Sequence, residues 1–409
     1  MRGIAALSPS KHFNATPQTN PKTQPIQSNN NHFSPKPNKP SFPSFSTTPS
    51  KTPIPIPTPP LVVVGSANAD IYVEIERLPK EGETISAAHS QTLAGGKGAN
   101  QAVCGGKLSY PTYFVGQVGQ DAHGKLVTEA LEGGGVHLDY VNTVSAAPTG
   151  HAVVMLQSDG QNSIIIVGGA NMSCWPDCMS DDDLELVRSA GIVLLQREIP
   201  DFVNVQVAKA AKTAGVPVIL DAGGVDAPIP SELLNFVDIL SPNESELARL
   251  TGMPTESFEQ ISRAVIKCHE MVSSETTTNL DHPKCLPESA FLDYCGHILK
   301  KKKSLLSTRD VYIQGVKQVL VKLGAKGSAL FIEGEEPIKQ PIISAPRVLD
   351  TTGAGDTFTA AFAVALVEGK SKTECLRFAA AAASLCVQVM GAIPSMPDRK
   401  SVLNLLQSL

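Results

Sequence analysis

Residues 350–366 read DTTGAGDTFTAAFAVAL and place an acidic residue, Asp356, directly after three small residues at the start of a helical pattern. The preceding run PRVLD, residues 346–350, predicts a short strand, and the following run predicts a helix that closes at Gly369. Backbone N–H groups in the first turn of a helix lack partners and favour an anion. The motif therefore predicts an anion site with a carboxylate base beside it, or a helix N-cap.

Short apolar runs that end in small or polar residues recur along the chain, as is typical of buried parallel strands. The run PPLVVVGSANAD is the first, and the others occupy residues 191–196, 216–224, 237–243 and 317–324. Helical patterns such as FVNVQVAKAAKTAG and ESELARLTG separate several of them. This alternation predicts a doubly wound α/β domain with a mostly parallel sheet between helices, and with ligands at the carboxyl ends of the strands.

Two stretches depart from this alternation and have the pattern of β-hairpins, residues 71–96 and residues 149–171. The sequence SDGQ in the second stretch is typical of a turn. Together the two stretches predict a small sheet that stands off the rest of the domain as a lid. The predicted domain spans residues 61–409.

The composition is that of a soluble globular protein, with 42% hydrophobic residues, 18% charged residues and a net charge of −5. This charge argues against nucleic acid as a main partner. No apolar run approaches the roughly 18 residues needed to cross a bilayer, which argues against a membrane span. Eight cysteines without regular pairing fit a reducing compartment better than a disulfide framework.

The first 60 residues contain no Asp or Glu, but they carry six Lys or Arg residues and 14 of the 31 prolines. A segment of this kind, rich in Ser, Thr, Pro and Asn, is predicted to be disordered. Its composition resembles an organelle transit peptide, more plastid than mitochondrial because Arg2 is its only arginine. The chloroplast stroma is therefore the predicted location, with the mitochondrion and the cytoplasm as alternatives, and an ordinary disordered tail is the alternative to a transit peptide.

Residues 271–314 show no sustained period and interrupt the passage from the helix FEQISRAVIKCHE to the strand GVKQVLVKLG. The stretch AKAAKTAGVPVILD makes the same passage with no insert. A long structureless connection at such a joint argues against a normal element. The interpretations are a retained intron or gene-model error, or a lineage-specific surface loop, and sequencing the transcript across the joint distinguishes them.

Three more polar motifs stand at predicted strand ends. LAGGKGANQAV, residues 93–103, lacks the spacer of a Walker A loop, but its glycines let backbone approach a ligand while Lys97 and Asn100 offer donors. A glycine-rich hairpin exit is the alternative. In GSANAD, Asn68 and Asp70 are two residues apart and share one face, as either polyol-binding residues or loop caps.

The fourth motif, SPNESELARLTG, places Asn243 and Glu246 three residues apart on one face of a helix start. Glu246 is suited to the metal and phosphate side of a site. A capping box is the structural alternative.

Taken in order, GSANAD, GGKGANQA, LLQREIP, SPNESEL, KLGAKG and DTTGAGDTF resemble the motifs of the ribokinase-like (PfkB-type) sugar kinases along residues 61–409, apart from the insert. The pairing of GGKGAN with GSANAD is similar to that of family members that act on ribose. The resemblance implies ATP-dependent phosphorylation of D-ribose at its 5-hydroxyl, with Mg²⁺, with K⁺ as activator, and in a homodimer joined through the lid. Alternatives are a kinase of another small sugar or nucleoside, such as fructose, adenosine or pseudouridine, or a non-catalytic scaffold.

The resemblance also implies residue roles. The catalytic base would be Asp356, and the anion hole would be Gly353, Ala354 and Gly355. The sugar site would comprise Asn68, Ala69, Asp70, Gly96, Lys97, Gly98, Ala99, Asn100 and Glu198. The ATP site would comprise Asn243, Glu246, Lys322, Leu323, Gly324, Ala325, Lys326 and Gly327 together with Gly355 and Asp356, with Glu246 serving Mg²⁺ through water. Lys322 stands where a Thr or Ser is common. The K⁺ ligands would be Asp350, Thr352, Cys386, Val389, Gly391 and Ser395.

Overall fold

The computed structural model describes residues 58–158, 162–270 and 316–409. The predicted insert at residues 271–314 lies outside these ranges, as does the predicted leader except for residues 58–60. Among the helices in these ranges, none combines the length and the apolar character needed to cross a bilayer.

A nine-stranded sheet forms the centre of the fold, with the strand order β13-β12-β11-β10-β9-β8-β1-β4-β5. Its strands are β1 (Leu61–Val64), β4 (Thr112–Gly119), β5 (Val141–Val144), β8 (Ile192–Arg197), β9 (Val218–Gly224), β10 (Ile239–Ser241), β11 (Gln318–Lys322), β12 (Ser328–Ile332) and β13 (Ile338–Gln340). All neighbouring pairs from β5 to β11 are parallel, and β12 and β13 are antiparallel. The predicted mostly parallel α/β sheet is confirmed.

Helices cover both faces of this sheet. In chain order they are α1 (Lys97–Lys107), α2 (Ala122–Gly133), α3 (Asp181–Ser189), α4 (Asp201–Ala214), α5 (Ser231–Leu234), α6 (Glu244–Thr251), α7 (Phe258–Glu270), α8 (Ala354–Val367), α9 (Lys372–Cys386), α10 (Ala392–Ser395) and α11 (Arg399–Gln407). Side chains of α1, α8 and α9 pack in one apolar cluster, and those of α3, α4, α6 and α7 pack in another on the opposite face. This three-layer arrangement is the one that parallel strands require, because both of their faces must be buried.

A second sheet has four strands in the order β3-β2-β6-β7. They are β2 (Asn68–Ile75), β3 (His89–Gly95), β6 (Gly150–Gln157) and β7 (Asn162–Val167). The pairs β2–β3 and β6–β7 are antiparallel hairpins, and β2 pairs with β6 in parallel. The predicted small sheet built from two hairpins is therefore confirmed.

The order of the main sheet reverses next to β1, because the chain moves outward to β4 on one side and later through β8 to β11 on the other. Ligands in open α/β sheets bind at the carboxyl edge of such a reversal. Helix α8 begins near this edge and is buried along residues 356–365. A helix that is apolar on all sides belongs in the middle of a core, so its first turn is held firmly in place.

The strand predicted for residues 346–350 is wrong. This segment is not paired in the sheet. Leu349 N and Asp350 N instead donate to Val387 O at 2.8 and 3.3 Å. Val348 and Leu349 are exposed, so their apolar side chains do not supply the burial that makes an apolar run a strand.

Candidate active site

The first turn of α8 forms an open anion-binding position. Gly353 precedes the helix with φ 77°, and a Cβ on it would lie 3.0 Å from Ala392, so only glycine fits both the backbone and the space. Among the residues that the structure describes, no side chain caps this helix. Within the described ranges, no acceptor faces the N–H groups of Gly355 and Asp356. These donors can therefore hold an anion.

Asp356 is the third residue of α8 and is buried, with 5% of its surface exposed. Its Oδ2 accepts from Asn100 Nδ2 at 2.9 Å, and its Oδ1 accepts from Gln101 Nε2 at 3.3 Å. Lys97 Nζ lies 3.7 Å from Oδ1. The N-cap of the helix is Gly353, so the interpretation of Asp356 as an N-cap is wrong, and the carboxylate instead faces the polar side chains of α1.

The glycine-rich segment before Asn100 leaves the β2–β3 hairpin at Gly95 and starts helix α1, so the hairpin-exit interpretation is confirmed and the segment is a helix start as well. Gly96 ends the turn with φ 89°, and the helix begins at Lys97. A Cβ on Gly98 would lie 2.6 Å from Ser66 N, so the helix approaches the loop after β1 more closely than another residue would allow. This contact brings Lys97 and Asn100 to the carboxyl edge of the main sheet.

Asn68 and Asp70 lie at the start of β2, and not at the end of β1 as the sequence suggested, although they do share one face. Asn68 Oδ1 accepts from Asn171 Nδ2 at 2.7 Å, and Ala67 N donates to Asn171 Oδ1 at 2.9 Å. Asp70 packs against Gly95, where a Cβ would lie 2.0 Å from its Oδ2. The lid strand thus presents both polar side chains next to the loop that opens α1.

Two carboxyl groups near this loop have raised pKa values. Burial, followed by repulsion from Glu198 and Asp356, raises the pKa of Asp70 to about 7. Burial is also the main cause that raises the pKa of Glu198. Glu198 Oε2 accepts from Ser66 Oγ at 2.5 Å and from Lys97 N at 3.1 Å. This end of the site is therefore acidic, half-buried and rich in acceptors for hydroxyl groups.

Lys97 is the cation at the centre of these carboxylates. Its Nζ lies 3.7 Å from Asp356 Oδ1 and 3.8 Å from Asp221 Oδ1. Attraction to Asp356, more than any other cause, raises its pKa well above the usual lysine value even though burial opposes the charge. The ammonium is therefore firmly charged and balances the carboxylates around it.

The segment Lys322–Gly327 begins at the last residue of β11, beside the start of α6. Lys322 Nζ donates to Asp221 Oδ2 at 2.6 Å. Lys326 points outward and pairs with Glu244 at 2.9 Å, and residues 324–326 are exposed. Leu323 is buried, and Gly327 has φ 94°. Of this predicted set, Lys322 is the side chain that the structure brings to the other site residues.

Asn243 and Glu246 form a capping box on α6, as one interpretation of the sequence predicted. Asn243 Oδ1 accepts from Glu246 N at 2.8 Å, and Glu246 Oε2 accepts from Asn243 N at 2.8 Å. The other oxygen remains directed at the site, because a Cβ on Gly223 would lie 2.8 Å from Glu246 Oε1 and 2.7 Å from Lys97 Nζ. Glu246 can therefore take part in the capping box and also serve the metal and phosphate side of the site.

Of the six predicted cation ligands, Asp350 and Thr352 lie on the loop before α8 and Val389 and Gly391 on the loop before α10, while Cys386 ends α9 and Ser395 ends α10. Asp350 accepts from Thr352 N at 2.9 Å and from Gly391 N at 2.8 Å, which joins the loop before α8 to the loop before α10. Cys386 Sγ lies 3.1 Å from Ser395 Oγ and 3.9 Å from Thr352 O. Val389 is 44% exposed and its side chain is apolar, so its carbonyl is the group it can offer.

Sequence reasoning missed several buried polar residues of this site: Gln101, Asn171, Gln196, Asp221 and Thr359. Asp221 ends the apolar run of β9, so its position at the carboxyl end of a parallel strand was a usable signal. Gln196 and Gln101 carried no such signal, because their partners come from distant parts of the chain. Together, the anion position, the buried carboxylate and the donors around it are suited to removing a proton from a hydroxyl group as a phosphoryl group is transferred.

Comparisons with known proteins agree with this geometry. The sequence model of the pfkB family carbohydrate kinases matches residues 59–276 and 300–399 of the chain. The unmatched residues 277–299 lie inside the predicted insert, whose origin stays a prediction.

The ribokinase of Arabidopsis thaliana is 64% identical to this chain over 419 residues, covering 100% of this chain and 99% of that protein. The ribokinase of Bacillus subtilis is 34% identical, covering 85% of this chain and 99% of that protein. The solved structure of Arabidopsis thaliana ribokinase complexed with ribose and ATP is 70% identical with a TM-score of 0.73, covering 86% of this chain and 99% of that chain. The chain therefore belongs to the pfkB family of carbohydrate kinases.

Proposed function

We propose that this protein transfers the γ-phosphoryl group of ATP to the 5-hydroxyl of D-ribose, giving ribose 5-phosphate and ADP. The observation that carries this proposal is the buried carboxylate of Asp356 beside N–H groups at the start of α8 that have no acceptor among the described residues. The similarity to ribokinases supports ribose as the acceptor.

In this reaction Asp356 takes the proton of the 5-hydroxyl while the hydroxyl oxygen forms a bond to the γ-phosphorus. The bond from that phosphorus to the β–γ bridging oxygen breaks, and ADP leaves with the electron pair. A positioned base of this kind contributes roughly 10²- to 10⁴-fold in rate. The N–H groups of Gly355 and Asp356 stabilise the charge on the phosphoryl oxygens.

Ribose would be bound between the lid and α1. Asn68 and Asp70 face it from the lid strand, Lys97 and Asn100 from the helix, and Glu198 from the end of β8. Amide and carboxylate groups of this kind match the alternating donors and acceptors of a polyol. The backbones of Ala69, Gly96, Gly98 and Ala99 complete the wall.

The nucleotide would lie over the segment Lys322–Gly327 and the start of α6, with Asn243 beside it. Glu246 fits Mg²⁺ held through water, because its Oε1 faces the site while its Oε2 is used by the helix cap. When bound, Mg²⁺ would neutralise charge on the phosphate groups.

The two loops joined by Asp350 and Gly391 would hold K⁺. The donor set fits a hard monovalent cation, since it consists of one carboxylate and the hydroxyl or carbonyl oxygens of Thr352, Cys386, Val389, Gly391 and Ser395. When bound, K⁺ would add positive charge behind the anion position.

The lid also offers a surface for a homodimer. Its apolar cluster of Tyr72, Ala152 and Val154 continues on the same face into Ile164 and Ile166, which are 54% and 59% exposed. A contiguous exposed apolar face of this kind is typical of an interface. We propose that this face packs against the lid of a second copy.

The proposed location is the chloroplast stroma. It is supported by the acid-free, proline-rich composition of residues 1–60. Imaging a fluorescent protein fused behind these residues in leaf cells tests it, and signal confined to the cytoplasm or to mitochondria would contradict it.

The activity is tested by measuring ADP release by chains that start near residue 60, with and without residues 271–314. Ribose, fructose and adenosine are compared, each in potassium and in sodium. Turnover that depends on ribose and is stimulated by potassium supports the proposal. Folded protein that prefers another acceptor, or that turns over none of them, overturns the ribose assignment.

A further inference from the structure

A buried ion pair joins two strands on the nucleotide side of the site. Asp221 stands near the carboxyl end of β9, and Lys322 is the last residue of β11, with β10 between them. Lys322 Nζ lies 2.6 Å from Asp221 Oδ2. The carboxylate side chain is fully buried, whereas the lysine side chain is 12% exposed. Of the two side chains, only that of Lys322 is therefore exposed toward the site.

Asp221 is fixed by contacts other than Lys322. Gly223 N donates to its Oδ1 at 3.0 Å, and Thr359 Oγ1 donates to its Oδ2 at 3.3 Å. Thr359 lies three residues after Asp356 on α8, so the helix that carries the base also holds this carboxylate. Because Asp221 cannot leave its position, the lysine is the partner that is free to move.

Lys322 also borders the anion position. A Cβ built on Gly355 would lie 3.8 Å from Lys322 Cδ and 3.9 Å from Lys322 Nζ. The ammonium therefore lies beside Gly355, on the side where a Cβ would point. In the described ranges, no atom of another lysine or arginine lies within 4 Å of that Cβ position.

We propose that Lys322 is a catalytic residue that binds the transferred phosphoryl group, and that Asp221 positions it. The inference rests on the proposed kinase function. Two ammonium groups, of Lys322 and Lys97, lie on either side of Asp221, and Lys97 in turn lies beside Asp356. Lys97 thereby serves the acceptor side and Lys322 the nucleotide side.

The charges explain why an aspartate is needed between the two lysines. Without it, two cations would repel each other across a partly buried space, and the side chain of Lys322 would turn away from the site. With it, the lysine is held near the phosphoryl position before nucleotide binds, so little reorganisation is needed during transfer. A phosphoryl group then replaces Asp221 as the closest anion to Lys322.

The test compares the affinity of the protein for a non-hydrolysable ATP analogue, AMP-PNP, with its affinity for ADP by titration calorimetry. In Lys322→Met, affinity for AMP-PNP is expected to fall roughly 10- to 100-fold more than affinity for ADP. Turnover with ribose is expected to fall roughly 10²- to 10³-fold in kcat, as on loss of one transition-state donor. Lys322→Arg should recover most of the preference for AMP-PNP.

Lys322→Met leaves a buried carboxylate without its main partner and can fail to fold. The double variant Lys322→Met with Asp221→Asn removes both charges, so the same binding comparison can be made without an unpaired buried carboxylate. Asp221→Asn alone should lower kcat roughly tenfold while the affinity for ribose stays within threefold. Because Asp221 acts through Lys322, adding Asp221→Asn to Lys322→Met should lower kcat no further.

The pair Lys212 and Asp238 supplies a matched control, since it has the same 2.6 Å separation at the opposite edge of the sheet. Lys212→Met with Asp238→Asn should keep the wild-type preference for AMP-PNP over ADP. Loss of that preference in the control, or its retention in Lys322→Met, overturns the proposal.

The binding comparison does not depend on the sugar. The proposal that ribose is the substrate and the proposal for Lys322 can therefore be contradicted independently of each other. A wild-type protein that prefers AMP-PNP over ADP but does not phosphorylate ribose contradicts the ribose assignment and leaves the Lys322 result valid. An equal loss of AMP-PNP and ADP affinity in Lys322→Met contradicts the role at the transferred phosphoryl group.

Discussion

Asn100 Nδ2 donates to Asp356 Oδ2 at 2.9 Å, although the two residues are 256 positions apart in the chain. The bond joins the first turn of α1 to the first turn of α8. Two helix starts therefore meet at one carboxylate, and the rest of the site is arranged around this contact.

Replacing Asp356 by Asn should abolish turnover while leaving ribose binding largely intact. The amide keeps the size of the side chain but cannot take the proton, so kcat should fall roughly 10²- to 10⁴-fold or more. ADP release measures turnover, and calorimetry measures ribose binding. Asp398→Asn, which changes the N-cap of α11, is the control and should keep kcat near wild type. Near-normal turnover in Asp356→Asn would remove its assigned role.

Gln196→Met should lower kcat without changing the KM for ribose. Gln196 Nε2 donates to Gln101 Oε1 at 2.7 Å, and this bond directs the Gln101 amide group toward Asp356. Without it the base loses one of its fixed donors, and small displacements of a catalytic group cost roughly up to 10²-fold in rate. Gln318→Met removes another buried amide, at the start of β11, and should keep kcat unchanged. Equal kcat values in the two variants would contradict the positioning role.

Asp70 should make the stability of the ligand-free protein depend on pH. Its pKa in the folded protein is about 7 and its ordinary value is 3.8, so the folded state holds a proton that the unfolded state has released in this window. The free energy of unfolding should therefore decrease as pH rises from about 4 to about 7, by at most about 4 kcal/mol for this residue.

Asp70→Asn should weaken that dependence, which melting temperatures between pH 5 and pH 8 would measure. Asp398→Asn should retain the wild-type slope in this range, because hydrogen bonds from the Ser401 backbone and side chain lower the pKa of Asp398. An unchanged slope in Asp70→Asn would show that the carboxyl group titrates elsewhere.

Asp350→Asn should weaken the potassium response. Since Asp350 supplies the carboxylate of the proposed site and holds Gly391 in place, the potassium concentration for half-maximal stimulation should rise roughly 10- to 100-fold. Cys386→Ser should keep the response, because residue 386 is proposed to contribute only its carbonyl oxygen. Kinetic titration with potassium at constant ionic strength measures both, and a normal response in Asp350→Asn would contradict the site.

Replacing both Ile164 and Ile166 by Lys should convert the proposed dimer to a monomer. The two side chains extend the apolar cluster of the lid into solvent, and charges there cannot be buried against a partner. Analytical ultracentrifugation measures the change. Ile266→Lys, on the exposed face of α7, is the control and should leave the mass unchanged. A wild-type protein that sediments as a monomer would contradict the interface.

The sequence alone predicted the layers of the fold well, because burial on both faces leaves a strong local signal. The runs that became β8, β9, β10 and β11 are apolar and short, and each was identified as a strand. The segment at residues 346–350 looked similar, but it contains Pro346 and lies exposed against a single carbonyl of Val387. A local pattern cannot report whether a neighbouring strand is present.

The polar residues of the site were predicted unevenly for a related reason. Asp356 and Lys97 are flanked by glycines at helix starts, and such glycine-rich motifs are conspicuous in a sequence. The role of Asp221 depends on its hydrogen bond with Lys322, which is 101 positions away. The role of Gln196 depends on its hydrogen bond with Gln101, which is 95 positions away. Such pairs exist only after the strands have been ordered in the sheet.

The N–H groups of Gly355 and Asp356, which lack an acceptor within the described ranges, have a consequence for the lifetime of the protein in the cell. An anion that occupies them binds only the folded state, so it protects the chain from proteases that attack unfolded molecules. At a concentration 100-fold above its Kd, such a ligand adds about 2.7 kcal/mol to the free energy of unfolding. The abundance of this protein should therefore rise and fall with the supply of its own nucleotide.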